Sequence, residues 1–434
     1  MLNKSNYSVR IQRKNNKEWC GIRYYLIKHI AVFLCANLIL LSFPVVSLAD
    51  DIEDDDSENI VNEISQETVE TSNNQNQKPT VNSRRYVIYD RNSGMAIYGK
   101  DENKQSAMAS TTKILTGIVV LENCKNLDEE VIIDAKSAGV GGSRLGLKKD
   151  DRITVNDLLF GLLLKSGNDA ATQLAVYTSG SIEEFANLMN RKAKELGLNN
   201  THLVTPHGLD DPNHYTTPYE LAKIADYALK NETFATIVKT KYATIRINGN
   251  PKEIKNTNEL LCGDYEGVYG VKTGFTNNAG RCLVTAVKRG DMDLIIVVLG
   301  ADTRKDRAND TVKLVNYAFQ NFKNINIEEK VKADFEDWKN INQDRIYINK
   351  AGSKLELGLE EINIKQIATN KEITTEINSI NYLEAPVAKN TKIGTLTVKN
   401  GEEIIEQTDI ITSKKVNRLG VVDYLTKFAK CICN

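Results

Sequence analysis

The sequence has little cysteine, little proline and almost no net charge. Its 434 residues include seven Cys, seven Pro and four His, and the basic and acidic residues nearly cancel to a formal charge of −1. A near-neutral chain has no overall basic field to hold nucleic acid, so no nucleic-acid partner is predicted. With 41% hydrophobic and 26% charged residues, the composition is that of a globular protein. A wholly disordered chain and a multi-span membrane protein are therefore excluded.

Cysteine and histidine are too scattered for a disulfide framework or a metal site. Cys20 and Cys35 lie in the N-terminal segment, and the other five are odd in number and unevenly spaced: Cys124, Cys262, Cys282, Cys431 and Cys433. That pattern is no framework for an exported protein of this size. The sequence has neither Cys-x-x-Cys nor His-Glu-x-x-His, so we predict no metal and no cofactor.

The first 49 residues have the organisation of a signal peptide. Residues 1–29 carry seven Lys or Arg against one acid, the apolar run 30–46 follows, and Ser47-Leu-Ala49 supplies small residues at the cleavage site. This order is typical of a secretory signal, and it predicts that the rest of the chain lies outside the cytoplasm. The alternative is an uncleaved membrane anchor, although 17 apolar residues fall just short of the roughly 20 that span a bilayer.

Residues 50–83 are predicted to be a disordered acidic linker. They contain ten acidic residues, one lysine and no aromatic residue. Such a segment cannot bury enough apolar surface to offset its ordering entropy. An acidic binding motif is the alternative interpretation.

Residues 84–325 are predicted to form a mixed α/β domain. Two strands at 86–89 and 95–98 flank a turn and predict a hairpin. Helical spacing of apolar residues follows at 106–122, 155–164, 182–196, 219–229 and 314–322, and strand-like runs lie at 244–247, 281–287 and 294–299. Interleaved helices and strands indicate one α/β domain rather than separate helical and sheet domains.

Two further segments follow this domain. Residues 326–412 alternate short β-branched runs with polar turns, which predicts a small all-β domain. Residues 413–434 place apolar side chains on one helical face with basic residues nearby, which is typical of a helix bound to an anionic membrane surface. The apolar set is Leu419, Val422, Leu425, Phe428 and Ile432, and the basic set is Lys414, Lys415, Arg418, Lys427 and Lys430. Packing of this helix on the β domain is the alternative.

Ser110-Thr-Thr-Lys113 is the first candidate for chemistry. It lies near the start of the predicted helix 106–122, where Ser and Lys at i and i+3 share one face. Amides at a helix N-terminus favour an oxyanion, and the same positive end helps to lower the pKa of the lysine toward a neutral base. Such a base can take the proton of the serine nucleophile. The motif alone is weak, because a short string of this kind arises by chance about once or twice in a chain of this length.

Two further short motifs follow in the same predicted domain. Ser166-Gly-Asn168 comes directly after the apolar helix 155–164, and its alternative role is a helix cap. Lys272-Thr-Gly274 precedes the strand 281–287, where a lysine and a hydroxyl could hold a substrate carboxylate. Its alternative role is an edge-strand lysine that opposes aggregation. Serine-x-x-lysine, serine-x-asparagine and lysine-threonine-glycine elements occur in this order in β-lactamases and penicillin-binding proteins.

The sequence around these motifs resembles the low-molecular-mass penicillin-binding proteins, the serine-type D-alanyl-D-alanine carboxypeptidases. The resemblance covers about residues 84–434 and includes Leu383-Glu-Ala-Pro-Val387 near the C-terminus. In the first domain it is carried by Ala109-Ser-Thr-Thr-Lys113, Leu164-Lys-Ser-Gly-Asn-Asp-Ala170, Thr205-Pro-His-Gly-Leu-Asp210, Asn256-Thr-Asn-Glu-Leu-Leu261 and Gly270-Val-Lys-Thr-Gly-Phe-Thr276.

The resemblance implies a serine β-lactamase/transpeptidase-like domain, an antiparallel sheet flanked by helices, followed by the β domain and a membrane-anchoring helix. It implies removal of the terminal D-alanine from peptidoglycan stem pentapeptides in cell-wall biogenesis and remodelling. β-Lactam antibiotics would be covalent inhibitors, and the protein would work at the outer face of the cytoplasmic membrane.

The resemblance also implies a role for each motif residue. Ser110 would be the acyl-ester nucleophile, Lys113 the general base and Ser166 the proton relay to the leaving amine. Asn168 would hold the substrate amide. The remaining residues would bind the substrate: Lys272, Thr273 and Gly274 at the terminal carboxylate, Phe275 through its amide in the oxyanion hole with that of Ser110, and Arg304 or Arg307 beside the carboxylate.

Two other interpretations are weighed against this one. A class A β-lactamase needs a deacylating glutamate, and Glu183 has the form of that motif but follows Asn168 too closely and suits a helix surface. A wall-binding protein without activity has no need of the whole set of motifs. His207, in Pro206-His-Gly-Leu209, is interpreted as a structural turn residue rather than a base.

Overall fold

The computed structural model of the protein describes residues 78–432. The predicted signal peptide and residues 50–77 of the predicted linker lie outside the described residues. The end of that linker belongs to the folded domain, because the Asp310 carboxylate accepts hydrogen bonds from the backbone N–H groups of Asn82 and Ser83 and from Ser83 Oγ. Ser83 is fully buried. Composition alone assigns Asn82 and Ser83 to the linker. In the structure one buried carboxylate satisfies their backbone N–H groups and fixes them on the domain.

The strands of the first domain are β1 (Arg85–Asp90), β2 (Met95–Lys100), β3 (Glu130–Ile132), β4 (Arg152–Thr154), β5 (Tyr242–Ile247), β6 (Asn250–Lys255), β7 (Val268–Thr276), β8 (Gly280–Arg289) and β9 (Met292–Ala301). Five of them form an antiparallel sheet in the order β2-β1-β9-β8-β7. The hairpin predicted at 86–98 is its β1–β2 pair. Strands β3 with β4 and β5 with β6 form two separate two-stranded sheets.

Both faces of this sheet are buried, because successive side chains of a strand point to opposite sides. Val87 and Tyr89 of β1 pack into the larger apolar core. Tyr86 and Ile88 pack into a second core on the other face. The central strand β9 is therefore apolar from Leu294 to Leu299, and this explains why its run of Leu, Ile and Val shows no alternation.

Helices cover both faces of the sheet. The larger core is built with the helices between β2 and β5, whereas the last long helix of the domain packs on the opposite face. The helices are α1 (Lys113–Asn123), α2 (Ala135–Ala138), α3 (Val155–Leu163), α4 (Asn168–Ser179), α5 (Ile182–Glu195), α6 (Pro218–Leu229), α7 (Glu232–Lys239), α8 (Glu259–Cys262) and α9 (Arg304–Asn321). The predicted antiparallel sheet flanked by helices is confirmed.

Two predicted helices differ from the observed ones at their first residues. The helix expected from residue 106 begins only at Lys113, and a 3₁₀ turn (Ala109–Thr112) precedes it. The closing helix expected at 314–322 begins ten residues earlier, at Arg304. Its N-terminal half is polar, so apolar periodicity does not detect it, although Thr303 caps it by accepting from Asp306 N–H.

The region after residue 322 consists mainly of strands. They are β10 (Lys323–Asn326), β11 (Tyr347–Asn349), β12 (Leu357–Leu359), β13 (Gln366–Thr369), β14 (Ile373–Ser379), β15 (Tyr382–Glu384), β16 (Lys392–Asn400) and β17 (Glu403–Thr412). A four-stranded sheet has the order β12-β17-β16-β14, while β10 pairs with β13 and β11 with β15.

A helix that the sequence pattern does not predict opens this second region. It is α10 (Ile327–Asn342), and it lies within the segment predicted to contain only strands and turns. Ile327, Val331 and Phe335 recur every four residues and pack into the core of the region together with the strands. The spacing is helical, but the intervening residues are so polar that the segment resembles a series of turns.

The terminal helix α11 (Val421–Ile432) follows the last strand. Val421, Val422, Leu425 and Phe428 are 77%, 74%, 63% and 66% exposed. The alternative in which these side chains pack on the β domain is therefore wrong.

None of the helices within residues 78–432 combines the length and the apolar character needed to cross a membrane.

Candidate active site

The nucleophile candidate Ser110 lies in the 3₁₀ turn that leads into α1. The turn brings residue i and residue i+3 together, and Lys113 Nζ donates a hydrogen bond to Ser110 Oγ at 2.7 Å. Ser110 is 4% exposed and Lys113 is fully buried. The proximity that the motif spacing predicts is therefore present, in a 3₁₀ turn rather than inside an α-helix.

Glycines allow two other segments to approach the turn that holds Ser110. A Cβ on Gly274 of β7 would lie 2.9 Å from Ser110 N, and a Cβ on Gly208 would lie 2.0 Å from Ala109 O. Ala109 itself adopts a left-handed backbone with φ of 47°, which is unusual for a residue with a side chain. The backbone around the serine is held between strand β7 and the 205–210 loop.

Lys113 is held by acceptors from three different parts of the chain. Its Nζ donates to Asn168 Oδ1 at 2.7 Å and to the His207 carbonyl at 3.0 Å, in addition to Ser110 Oγ. These three acceptors are uncharged. The amine is thereby fixed in position beside the serine hydroxyl, which is the geometry that a general base requires.

Ser166 and Asn168 lie in the turn between α3 and α4. Ser166 is 5% exposed and has a left-handed backbone with φ of 64°. Such conformations cost energy and concentrate at functional sites. Asn168 is not the cap of α4, because Gly167 occupies that position and makes no side-chain cap bond. Asn168 instead joins the site to a neighbouring loop, through Oδ1 to Lys113 and through Nδ2, which donates to Gly141 O at 2.8 Å.

The carboxylate of Asp169 organises the loop that faces this turn. It accepts hydrogen bonds from the backbone N–H groups of Leu145, Gly146 and Leu147 at 2.8 to 3.0 Å. The Arg144 guanidinium lies 4.0 Å from the same carboxylate. Asp169 thus fixes loop 144–147 against the segment that carries Ser166 and Asn168.

Lys272 and Thr273 lie on β7, the strand whose Gly274 contacts the serine turn. Lys272 is 1% exposed, so it is not a solvent-facing lysine that protects a sheet edge. Thr273 Oγ1 is hydrogen-bonded to Thr257 Oγ1 at 2.6 Å. Phe275 continues the strand, and its ring is covered by the Arg281 guanidinium at 3.9 Å from the ring centre.

The arginine candidates lie at the beginning of α9. Arg307 is fully buried, and its Nη2 and Nε donate to the two oxygens of the equally buried Glu259 at 2.7 and 3.0 Å. That bidentate pair joins α9 to α8. The structure does not bring Arg307 to the surface of the site, and Arg304 is half-buried in the first turn of α9.

Two buried histidines support the site as neutral rings. Burial, the nearby Lys113 and the second histidine lower the pKa of His207 to about 3. Burial also lowers the pKa of His214 to about 4. His207 contributes its carbonyl oxygen to Lys113, and its Nδ1 accepts from Leu209 N–H. These contacts agree with the prediction that His207 is structural.

His214 is a functional neighbour that sequence reasoning does not identify. Its Nδ1 accepts from Val204 N–H at 3.0 Å, so the ring proton is on Nε2, which lies 2.8 Å from Thr112 Oγ1. Thr112 Oγ1 in turn donates to Ala109 O at 2.8 Å. This chain of bonds ties the 202–217 segment to the turn that carries the serine. A lone histidine before Tyr215 has no spacing or periodicity that could have identified it.

The structure also bears on three other roles: a β-lactamase glutamate, disulfide bonds and a metal site. Glu183, the residue with the form of a β-lactamase glutamate, is exposed in the first turn of α5. Cys124, Cys262 and Cys282 are free. Among residues 78–432 no group of three or more His, Cys, Asp or Glu side chains could hold a metal ion.

Comparison with known proteins identifies two family models in the chain. Residues 72–303 match the model described as D-alanyl-D-alanine carboxypeptidase. Residues 364–418 match the model of the penicillin-binding protein 5 C-terminal domain. The two matches agree with the resemblance that the sequence motifs carry.

Individual relatives extend these matches over most of the chain. D-alanyl-D-alanine carboxypeptidase DacF of Bacillus subtilis is 32% identical over 350 residues, which are 79% of this chain and 87% of the relative. The Streptomyces K15 DD-transpeptidase crystal structure is 37% identical, with a TM-score of 0.53 over 56% of this chain and 99% of its own. The carboxypeptidase DacD structure from Francisella tularensis, at 23% identity, covers 81% of this chain and 98% of its own with a TM-score of 0.62, and this shows a shared fold.

Proposed function

The chain belongs to the family of serine-type D-alanyl-D-alanine carboxypeptidases, and we propose that Ser110 is its acyl-ester nucleophile. The protein acts on peptidoglycan stem peptides and binds β-lactams, as penicillin-binding proteins do. The main observation behind the assignment is the 2.7 Å distance between the buried Lys113 Nζ and Ser110 Oγ. As a neutral amine, Lys113 accepts from the Ser110 hydroxyl at this distance and takes its proton as the oxygen attacks.

The first step forms an acyl-enzyme. Ser110 Oγ attacks the carbonyl carbon of the penultimate D-alanine, and its proton passes to Lys113. The developing oxyanion lies between the backbone N–H groups of Ser110 and Phe275, where fixed donors stabilise charge more than water does. The close contact of Gly274 with Ser110 N supports this placement, since it brings β7 beside the serine amide.

The other residues of the site protonate the leaving amine and bind the terminal D-alanine. The proton on Lys113 returns through Ser166 to the leaving amine, and the released D-alanine departs before water hydrolyses the ester. Asn168 orients the substrate amide, while Lys272 and Thr273 bind the terminal carboxylate. The burial of both β7 side chains supports this role, because charge attraction is strongest where water is excluded.

D-Alanine release from diacetyl-L-Lys-D-Ala-D-Ala by the full chain tests the nucleophile. We expect release by the native protein and at least a ~1,000-fold loss in Ser110→Ala, since the covalent route is then closed. The Ser181→Ala variant, which changes a helix cap outside the site, is the control. Release that survives in Ser110→Ala would falsify the assignment, and labelling of Ser110 by a penicillin without D-alanine release would indicate a different acyl donor.

We also propose that the exported protein is held at the outer face of the cytoplasmic membrane by α11. The exposed Leu425 and Phe428 support this, together with basic residues just before the helix, Lys414, Lys415 and Arg418. Apolar side chains that enter the interface and cations that meet anionic lipid act together in such helices.

Vesicle sedimentation of the full chain tests this membrane role. We expect binding to vesicles with anionic lipid and a loss of at least tenfold in Leu425→Ser/Phe428→Ser. A tenfold loss is about 1.4 kcal/mol, which is less than two buried CH₂ groups at about 0.8 kcal/mol each, and the two substitutions remove more apolar surface than that. The native and variant proteins share the same N-terminus, so their difference reports on the helix alone. Equal binding of the two proteins would contradict the proposal.

A further inference from the structure

A cavity of about 700 Å³ is lined by residues that lie close to Ser166 and Thr257 in the chain. Its walls are residues 144–145, Lys165 and the β5–β6 pair, at 242–244 and 252–255. Lys252 Nζ donates to Leu145 O and so links the two walls. A volume of this size is that of a small-molecule site and far exceeds the space needed by the methyl side chain of an alanine.

The cavity is strongly basic although the whole chain is nearly neutral. Four cations line it, and one anion, Glu253, opposes them, which leaves a local charge of +3. The cations are Arg144, Lys165, Lys252 and Lys255. Asp169 partly neutralises Arg144 at 4.0 Å, yet the arginine side chain is 40% exposed. Clefts lined by one sign of charge concentrate ligands of the opposite sign.

Two lining residues connect the cavity with the part of the site proposed to hold the leaving residue. Lys165 directly precedes Ser166, the proposed proton relay to the leaving amine. On the other wall, Lys255 is two residues from Thr257, whose hydroxyl is 2.6 Å from that of Thr273, the proposed carboxylate ligand. Both walls of the cavity therefore adjoin the part of the site proposed to hold the leaving residue and its carboxylate.

We propose that this cavity is a subsite for a second negative charge on the leaving group. The ligand class is an amino acid or peptide amine with a carboxylate beyond the one next to the scissile bond. Two sources have this chemistry: a terminal D-amino acid with an acidic side chain, and the amine-donating strand of a cross-linked peptide. The inference rests on the proposed function, since the cavity acts on a leaving group only if Ser110 forms the acyl-enzyme.

Paired acid and amide substrates test the subsite. We would measure kcat/KM for diacetyl-L-Lys-D-Ala-D-Glu and for the same peptide ending in D-Gln, which differs only in charge. We expect the acid to be cleaved about tenfold faster at low salt, with the preference declining as salt screens the lysines. The amine-donating strand of a cross-linked peptide is tested in the same way. We would compare kcat/KM for a cross-linked dimer whose second carboxylate is free with that for the dimer in which it is amidated.

Variants in the cavity wall connect the preference to these residues. Lys165→Gln should lower the acid-to-amide ratio about threefold to fivefold, and Lys165→Arg should retain it. Lys148→Gln, an exposed lysine of the neighbouring loop outside the cavity, should leave the ratio unchanged. The subsite is wrong if acid and amide are cleaved equally in both substrate pairs while D-alanine release persists. Loss of D-alanine release from the native chain would instead refute the proposed function.

Discussion

The substitution Gly208→Ala tests whether the 205–210 loop holds the serine turn in its working position. The new Cβ would lie 2.0 Å from Ala109 O and 2.6 Å from Thr112 Oγ1. Because real Cβ atoms are essentially never closer than 3.0 Å to such atoms, the Ala109 carbonyl and the loop must separate by about 1 Å or more. A displacement of about 1 Å next to a reacting group can reduce its rate about 100-fold.

A matched control isolates this clash from the cost of the backbone conformation. Gly180 ends α4 with φ of 83°, almost the same as the 85° of Gly208, and a Cβ added to it would meet no other atom within 4 Å. Both alanine variants carry the left-handed penalty of roughly 1–2 kcal/mol, part of which is offset in the unfolded chain. Only Gly208→Ala carries the steric displacement as well.

The assay is D-alanine release together with the rate of Ser110 acylation by a fluorescent penicillin. We expect Gly180→Ala to lose some thermal stability and to react at close to the native rate. Gly208→Ala, assayed well below its unfolding temperature, should react at least about 30-fold more slowly. A folded Gly208→Ala protein that reacts within threefold of Gly180→Ala would refute the role assigned to this contact.

Three other predictions concern stability. Arg307→Ala leaves Glu259 buried without its partner, so we expect a loss of about 3–5 kcal/mol in urea unfolding, largely recovered when Glu259→Met is combined with Arg307→Met; a stable Arg307→Ala protein with a raised KM would instead place the arginine at the substrate. Because folding lowers the pKa of His214 to about 4, the unfolded chain binds this proton first as the pH falls below about 6.5, and His214 alone should lower stability by up to about 3 kcal/mol toward pH 4. His207, whose pKa is lowered to about 3, should add a loss of similar size. His214→Gln should therefore remove about half of the combined loss whereas the exposed His202→Gln should remove none of it, and parallel profiles for the two variants would contradict this role. Asp169→Asn should lower stability by about 1–3 kcal/mol through the N–H groups of 145–147, and unchanged thermal unfolding would count against that role.

The proposed site residues can be predicted from the sequence because their relations are local. Ser110 and Lys113 are one turn apart, so their contact needs only a helical backbone of either kind. Short motifs likewise predict Ser166, Asn168 and Lys272 as site residues. Apolar spacing predicts β1, β2, β5, β8 and β9 and the helices α1, α3, α5 and α6, but it misses the strands β3, β4 and β6 and the helices α4 and α7. Helices with few apolar residues are not predicted by this spacing. Examples are α10 and the first half of α9, where most residues are polar.

Contacts between distant residues were decided by the tertiary structure alone. Arg307 could be assigned to the substrate or to the interior, and the bond to Glu259, 48 residues away, places it in the interior. The bond between His214 and Thr112 spans 102 residues, and the contact between Gly208 and Ala109 likewise joins separate segments. The basic cavity exists only because loop 144–145, Lys165 and the β5–β6 pair meet. Such contacts depend on how the whole chain packs and leave no periodic trace, whereas the motifs depend on residues within one or two turns of each other.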